Sequence, residues 1–160
     1  MVTVEPITPG WAHPLAAGDK VFEQRFGVPV VAGWAPFPEV IPFMVDAAAS
    51  ESPEWGPHLV FDDDGALVGN AGWKGAPVDG TAELGYAVAP DRRGKGIATT
   101  TVRLLIARGH TAGVRLVRAH TLAAESASTS VLRRCGFAWA GEFVDPEDGP
   151  VWRWEFVVDP

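Results

Sequence analysis

The run E-L-G-Y-A-V-A-P-D-R-R-G-K-G-I-A-T-T-T-V-R-L-L, from Glu83 to Leu105, leaves the chain few choices. Its first half alternates apolar residues around one glutamate and reads as a strand. Ala89-Pro90-Asp91 turns the chain. Gly94 and Gly96 then open a helix to about His110, in which Ala98, Val102, Leu105 and Ile106 recur at helical spacing and supply a buried face. Gly109 or Gly113 is expected to end it. A strand, a glycine turn and an amphipathic helix in succession require a sheet with a helix packed on it.

The rest of the sequence extends this plan. Val2 and Val4 read as a short first strand. Asp19 caps a helix through Phe26, and Pro38-Glu39 starts another through Ala49. L-V-F, the D-D-D-G turn and A-L-V-G-N-A-G-W form a hairpin, and V-D-G-T leads into the Glu83 strand. R-L-V-R-A-H-T is a strand. Ser126 to Arg134 is a helix with Ala127, Val131 and Cys135 on one side, and Phe137–Phe143 and Val151–Val158 are two further strands. Strand, helices, three strands, helix, strand, helix and two strands predict an α/β (α+β) fold: a mixed, mostly antiparallel sheet of six to seven strands flanked by about four helices. The 160 residues suit a single domain, with residues 1–55 forming a helical region and 56–160 a core.

Charge narrows the ligand classes. With a net charge of −7, the chain has no positive field to grip a nucleic-acid backbone, whereas an amine suits it. The most apolar region, Phe26 to Ala49, is broken by four prolines and carries Glu39 and Asp46, so no membrane span is expected. One cysteine, Cys135, and no leader pattern at the N-terminus imply a cytoplasmic location. His13, His58 and His110 show no metal-ligand spacing, so no metal is expected.

The basic glycine loop has two readings. The helix start exposes unpaired N–H groups at a positive dipole end, glycines let a ligand approach the backbone, and Arg92, Arg93 and Lys95 add charge, which together suit a pyrophosphate. The alternative is an ordinary tight connection with solvated basic residues. No P-loop pattern occurs, and G-x-G-x-x-G is not completed, because Thr99 stands at its third glycine.

Arg93-Gly94-Lys95-Gly96-Ile97-Ala98 resembles the R-x-x-G-x-A signature of the GNAT superfamily of acetyl-CoA-dependent N-acyltransferases. The preceding E-L-G-Y-A-V-A-P is similar to that family's pantetheine-binding strand. S-A-S-T-S-V-L-R-R-C-G-F resembles the N-x-x-S-x-x-V-L-x-x-x-G-F segment of the branch containing ribosomal-protein N-terminal and small-molecule acetyltransferases. The resemblance runs from about Val60 to Trp154. It implies acetyl-CoA as co-substrate, with its pyrophosphate on the amides of Arg93, Gly94, Lys95, Gly96, Ile97 and Ala98 and its pantetheine on the backbone of Ala87 and Val88. Ser128 falls on the family's serine and faces the cofactor; Glu125 stands in place of the usual asparagine beside it. Where another branch has a tyrosine acid, this chain has Leu132.

The implied reaction is attack of a primary amine, from a small molecule or a protein N-terminus, on the thioester in a ternary complex. The amine must lose a proton and the departing thiolate benefits from a donor. Glu83 is the leading base, on the ground that burial raises a carboxylate pKa; its other reading is a strand charge that pairs with an arginine or binds the substrate amine. His120 is the second candidate, or a structural histidine. Ser128 is the candidate donor to sulfur, or a backbone-bonding serine. Phe22, Phe26, Trp34, Phe37, Phe43 and Trp55, facing Trp139, Trp152 and Trp154, are core aromatics or an acceptor pocket, with Phe26 and Trp34 as the expected substrate contacts beside Glu83. Arg103, Arg108, Arg115, Arg118, Arg133 and Arg134 read as mostly solvated faces or ion-pair partners. The alternatives are a non-catalytic module binding CoA or another phosphate ligand, and an acyltransferase preferring a longer acyl-CoA. The last strands are the candidate surface for a homodimer.

Overall fold

Proline at the first position and a threonine before it start the first helix, although Pro14 hides it from sequence reading. In the computed structural model, which describes residues 1–36 and 39–159, Thr8 accepts the Trp11 N–H and α1 spans Pro9–Ala17. It follows β1 (Thr3–Pro6) and precedes α2 (Asp19–Phe26) and α3 (Val40–Ala48). Phe37, and Pro38 as the expected start of α3, lie outside the described residues. The chain continues through β2 (Pro57–Phe61), β3 (Leu67–Trp73), β4 (Thr81–Val88), α4 (Ile97–Thr111), β5 (Leu116–Leu122), α5 (Ala127–Arg134), β6 (Ala138–Asp145) and β7 (Gly149–Val157).

These seven strands form a mixed sheet in the order β1-β2-β3-β4-β5-β7-β6, antiparallel everywhere except between β4 and β5. The architecture expected from the sequence is the one observed, with five α-helices among the described residues. Strand alternation sorts the core. Leu59 and Leu67 pack with Leu15, Phe22, Trp34 and Met44 of the N-terminal region, whereas Val60 and Val68 join Val102, Leu105, Leu132 and Trp154.

Two details refine the sequence reading. Gly109 does not end α4; it lies within the helix, where a Cβ would stand 3.0 Å from the Trp73 ring, and Gly113, with φ +93°, follows the helix end. In α5 the buried residues are Thr129 and Leu132, while Ala127 is exposed and Val131 half-buried. No described helix is long and apolar enough to cross a membrane.

The feature that positions the site is where the sheet splits. β4 pairs with β5 only through Thr81, Ala82 and Glu83, opposite Leu116, Val117 and Arg118. Beyond Glu83, β4 continues against β3 alone, and β5 continues against β7.

Candidate active site

The split leaves one edge of β4 open. Lys74 N–H donates to the Glu83 carbonyl at 2.8 Å and Ala89 N–H to the Val68 carbonyl at 2.7 Å. Backbone groups alternate sides along a strand, so Tyr86 and Val88 turn theirs toward the opening. The Val88 carbonyl there accepts the Arg93 Nε–H at 3.3 Å. Ala87, expected to offer its backbone to a ligand, directs it at β3 instead, opposite Asn70, though the residue does line the opening.

A cavity of about 440 Å³ lies between this edge and the start of α4. Gly94 and Gly96 hold φ +78° and +80°, and a Cβ on either would meet nothing within 4 Å, so the loop wall is open. Gly96 caps α4 with no side-chain hydrogen bond, leaving the first-turn N–H groups of Ile97, Ala98 and Thr99 directed at the cavity they line. That geometry fits an anionic pyrophosphate. Arg92 and Arg93 line it as well, but Asp62 and Asp64 hold the Arg92 guanidinium at 2.7 and 3.2 Å, raising its pKa and spending its charge on the β2–β3 turn. Lys95 is exposed and does not line the cavity. Arg134, read from sequence as a solvated charge, does.

A second cavity, about 380 Å³, opens on the other side of β4. Val40, Phe43, Met44 and Trp73 give it an apolar wall, with Lys74, Tyr86 and His120 as the ionisable groups among its described lining residues. The two cavities share Pro36, Tyr86, Ala87 and Ser128. Tyr86 spans the junction: its hydroxyl donates to the Ser128 carbonyl at 3.0 Å and ties β4 to α5, and burial pushes its phenol pKa far up.

Behind the second cavity runs a polar chain. Glu83 Oε2 lies 2.6 Å from Lys74 Nζ and 3.2 Å from His120 Nδ1. His120 Nε2 accepts the Arg153 Nε–H at 3.2 Å, which assigns the imidazole proton to Nδ1 and makes it a donor to Glu83. Arg153 is itself stacked 4.1 Å over the Phe143 ring. Burial works to raise the Glu83 pKa, but the Lys74 hydrogen bond and charge, with His120 in support, prevail and hold it below the ordinary value. The expectation of a raised pKa is corrected: at neutral pH Glu83 is an ionised carboxylate, screened from the cavity by Lys74 and His120.

Three other expected contacts stand elsewhere. Glu125 lines neither cavity; Arg133 Nη2 holds its Oε1 at 2.7 Å and Thr129 Oγ1 donates to its Oε2 at 2.9 Å, lowering its pKa to about 2. Trp34, 2% exposed, is a core residue whose indole N–H donates to Asp19 at 3.2 Å. Phe26 stacks against Phe22 at 4.8 Å, away from both cavities. The aromatics that line the second cavity are instead Phe43, Trp73 and Tyr86. Cys135 is buried, its thiol pKa raised by that burial, as expected of a core cysteine.

A family model described as an acetyltransferase (GNAT) domain matches residues 13–138. No curated protein sequence matches. Among solved structures, the chain is similar to the microcin C7 self-immunity acetyltransferase MccE, in complex with acetyl-CoA and AMP, with TM-score 0.74 at 18% identity over 98% of this chain and 92% of that one. The ribosomal-protein-S5-alanine acetyltransferase from Vibrio fischeri gives 0.70 at 16% over 98% and 92%. A dodecameric spermidine N-acetyltransferase from Vibrio cholerae gives 0.69 at 16% over 98% and 93%. At these identities the likeness is one of fold.

Proposed function

Because the chain belongs to the GNAT acetyltransferase family, we propose that it transfers the acetyl group of acetyl-CoA to the primary amine of a small molecule or a protein N-terminus. The observation that carries this reading is the meeting of two cavities at Tyr86, Ala87 and Ser128, on the open edge of β4. One has an anion cradle at a helix start, and the other an apolar wall with a polar base behind it. A donor and an acceptor held there meet without a covalent enzyme intermediate.

The first cavity takes the CoA end, with the amides of Gly96, Ile97, Ala98 and Thr99 and the Arg93 side chain on the pyrophosphate. The open backbone of Tyr86 and Val88 pairs with the pantetheine amides as an added strand does. The acceptor amine enters from the second cavity. Glu83, ionised, oriented by His120 and set behind Lys74, receives its proton through water, and the neutral nitrogen attacks the thioester carbon. His120 is a positioning residue here, since both ring nitrogens are engaged. Ser128, which lines both cavities at the junction, is the proposed donor to the departing sulfur. Val40, Phe43, Met44 and Trp73 favour an acceptor with an apolar body, and no carboxylate lines the cavity among the described residues, which disfavours polyamines.

Product identification tests this reading. The protein is incubated with acetyl-CoA and a panel of amines, apolar monoamines, polyamines and N-terminal peptides, and products are weighed by mass spectrometry. N-acetylated product from an apolar monoamine or peptide is expected. Polyamine acetylation alone would overturn the acceptor assignment, and no acetylated product with any amine would overturn the function.

A further inference from the structure

The acceptor cavity already contains a primary amine. Lys74 directly follows β3, and its aliphatic chain crosses β4 at Gly85, where the lysine Cε lies 3.8 Å from the position a Gly85 Cβ would take. The ammonium ends 2.6 Å from Glu83 Oε2 and lines the second cavity together with Tyr86, Ala87 and Ser128, the residues shared with the first. Glu83, Gly85 and Ala87 share one face of β4, so one strand repeat separates the lysine crossing from the junction. The side chain is 63% exposed and has the freedom to swing along that face.

Three requirements of an acceptor therefore coincide at Lys74: a primary amine, a carboxylate to receive its proton, and access to the point where the donor cavity opens. The chain's other lysines lack this setting. Lys20 is 87% exposed beside Glu23 on α2, and Lys95 is exposed in the loop before α4, outside both cavities.

We propose that Lys74 is an internal acceptor, acetylated on Nζ by acetyl-CoA bound to its own chain when no external amine fills the cavity. This rests on the acetyl-transfer reading above. The ammonium gives one proton to Glu83, which passes it to solvent. The neutral Nζ attacks the thioester carbonyl, an N–C bond forms and the C–S bond breaks. A second proton from nitrogen goes to the thiolate, and the third stays on the new amide. The products are one Nζ-acetyl-lysine, one free CoA and one proton released. The reaction stops after one turnover, because the acetamide has no further nucleophile and Glu83 has lost its cationic partner.

The test is a time course of the full chain with acetyl-CoA, followed by intact-mass and peptide mass spectrometry at several protein concentrations. A single acetyl group on Lys74 is expected, arriving roughly tenfold or more faster than any on Lys20 or Lys95, because only Lys74 benefits from enforced proximity. The fraction modified per unit time should not change with protein concentration, and an external amine substrate should slow it. Lys74→Arg, which keeps the positive charge beside Glu83, should abolish the modification while CoA binding, measured by calorimetry, persists. Equal acetylation of all three lysines would overturn the proposal in favour of solution chemistry, and a rate rising with protein concentration would overturn it in favour of transfer between molecules. Unmodified Lys74 in a protein that acetylates an added amine refutes self-acetylation alone. Unmodified Lys74 together with no transfer to any amine refutes the acetyl-transfer reading, and the proposal with it.

Discussion

Replacing Gly96 with alanine separates what the cradle's backbone needs from what its ligand needs. Gly96 sits in the left-handed region, with φ 80° and ψ 8°, and a Cβ there would meet no heavy atom within 4 Å. The cost of Gly96→Ala is thus conformational and not steric, about 1–2 kcal/mol for a Cβ in that region. With an unfolding entropy of about 2.1 cal/mol/K per residue, the 160-residue chain should lose about 3–6 °C of melting temperature. Gly96→Asn should lose less, since asparagine visits this region more readily. Binding is expected to respond differently, because Gly96 lines the cavity proposed to hold the pyrophosphate. Losing one amide hydrogen bond to a charged phosphate costs about 1.5–3 kcal/mol, so both variants should bind CoA roughly 10- to 100-fold more weakly in a calorimetric titration. Alanine melting at or above the wild-type temperature would refute the conformational argument. Full CoA affinity in both variants would refute the loop as the anion site.

Other perturbations probe the junction and the polar chain. Lys74→Met removes the cation that does most to hold Glu83 low and leaves only His120 against burial, so its pKa should rise; the acidic limb of kcat/KM, which falls as Glu83 protonates, should shift to higher pH in a pH–rate profile. Tyr86→Phe breaks the tie to the Ser128 carbonyl and should cost about 1 kcal/mol, or about 3 °C in a thermal melt of a chain this size. Glu125→Gln should leave CoA affinity unchanged by calorimetry, because that carboxylate serves Arg133 and Thr129 and not the cavity.

The strand, loop and helix from Glu83 to the end of α4 were legible because each carries a local signal: alternation, positive-φ glycines and a helical apolar period. Helix α1 was not, because Pro14 reads as a breaker although the helix accommodates it. The open glycine loop before α4 was legible from Gly94 and Gly96, but the surrounding charges were not, since Arg92 is claimed by Asp62 on a distant turn and Arg134 reaches the cavity only through the packing of α5. Aromatics were the least legible. Nothing local distinguishes Trp34, buried against Asp19, from Phe43, which lines the second cavity; the difference lies in how α1, α2 and α3 pack. Lys74 was not legible because its pairing with Glu83 depends on the β3–β4 register, which sets the two residues side by side and so gives the Glu83 shift its sign.

Amine-dependent release of free thiol from acetyl-CoA, followed for wild type beside Glu83→Gln with CoA binding measured on both, tests the central claim most directly. The account predicts release by wild type with an apolar primary amine, a large loss of kcat in the variant, and equal CoA affinity in the two. Equal release by both proteins would contradict the role of Glu83. No release by a wild type that binds CoA would contradict the claim that the two cavities bring a donor and an acceptor together.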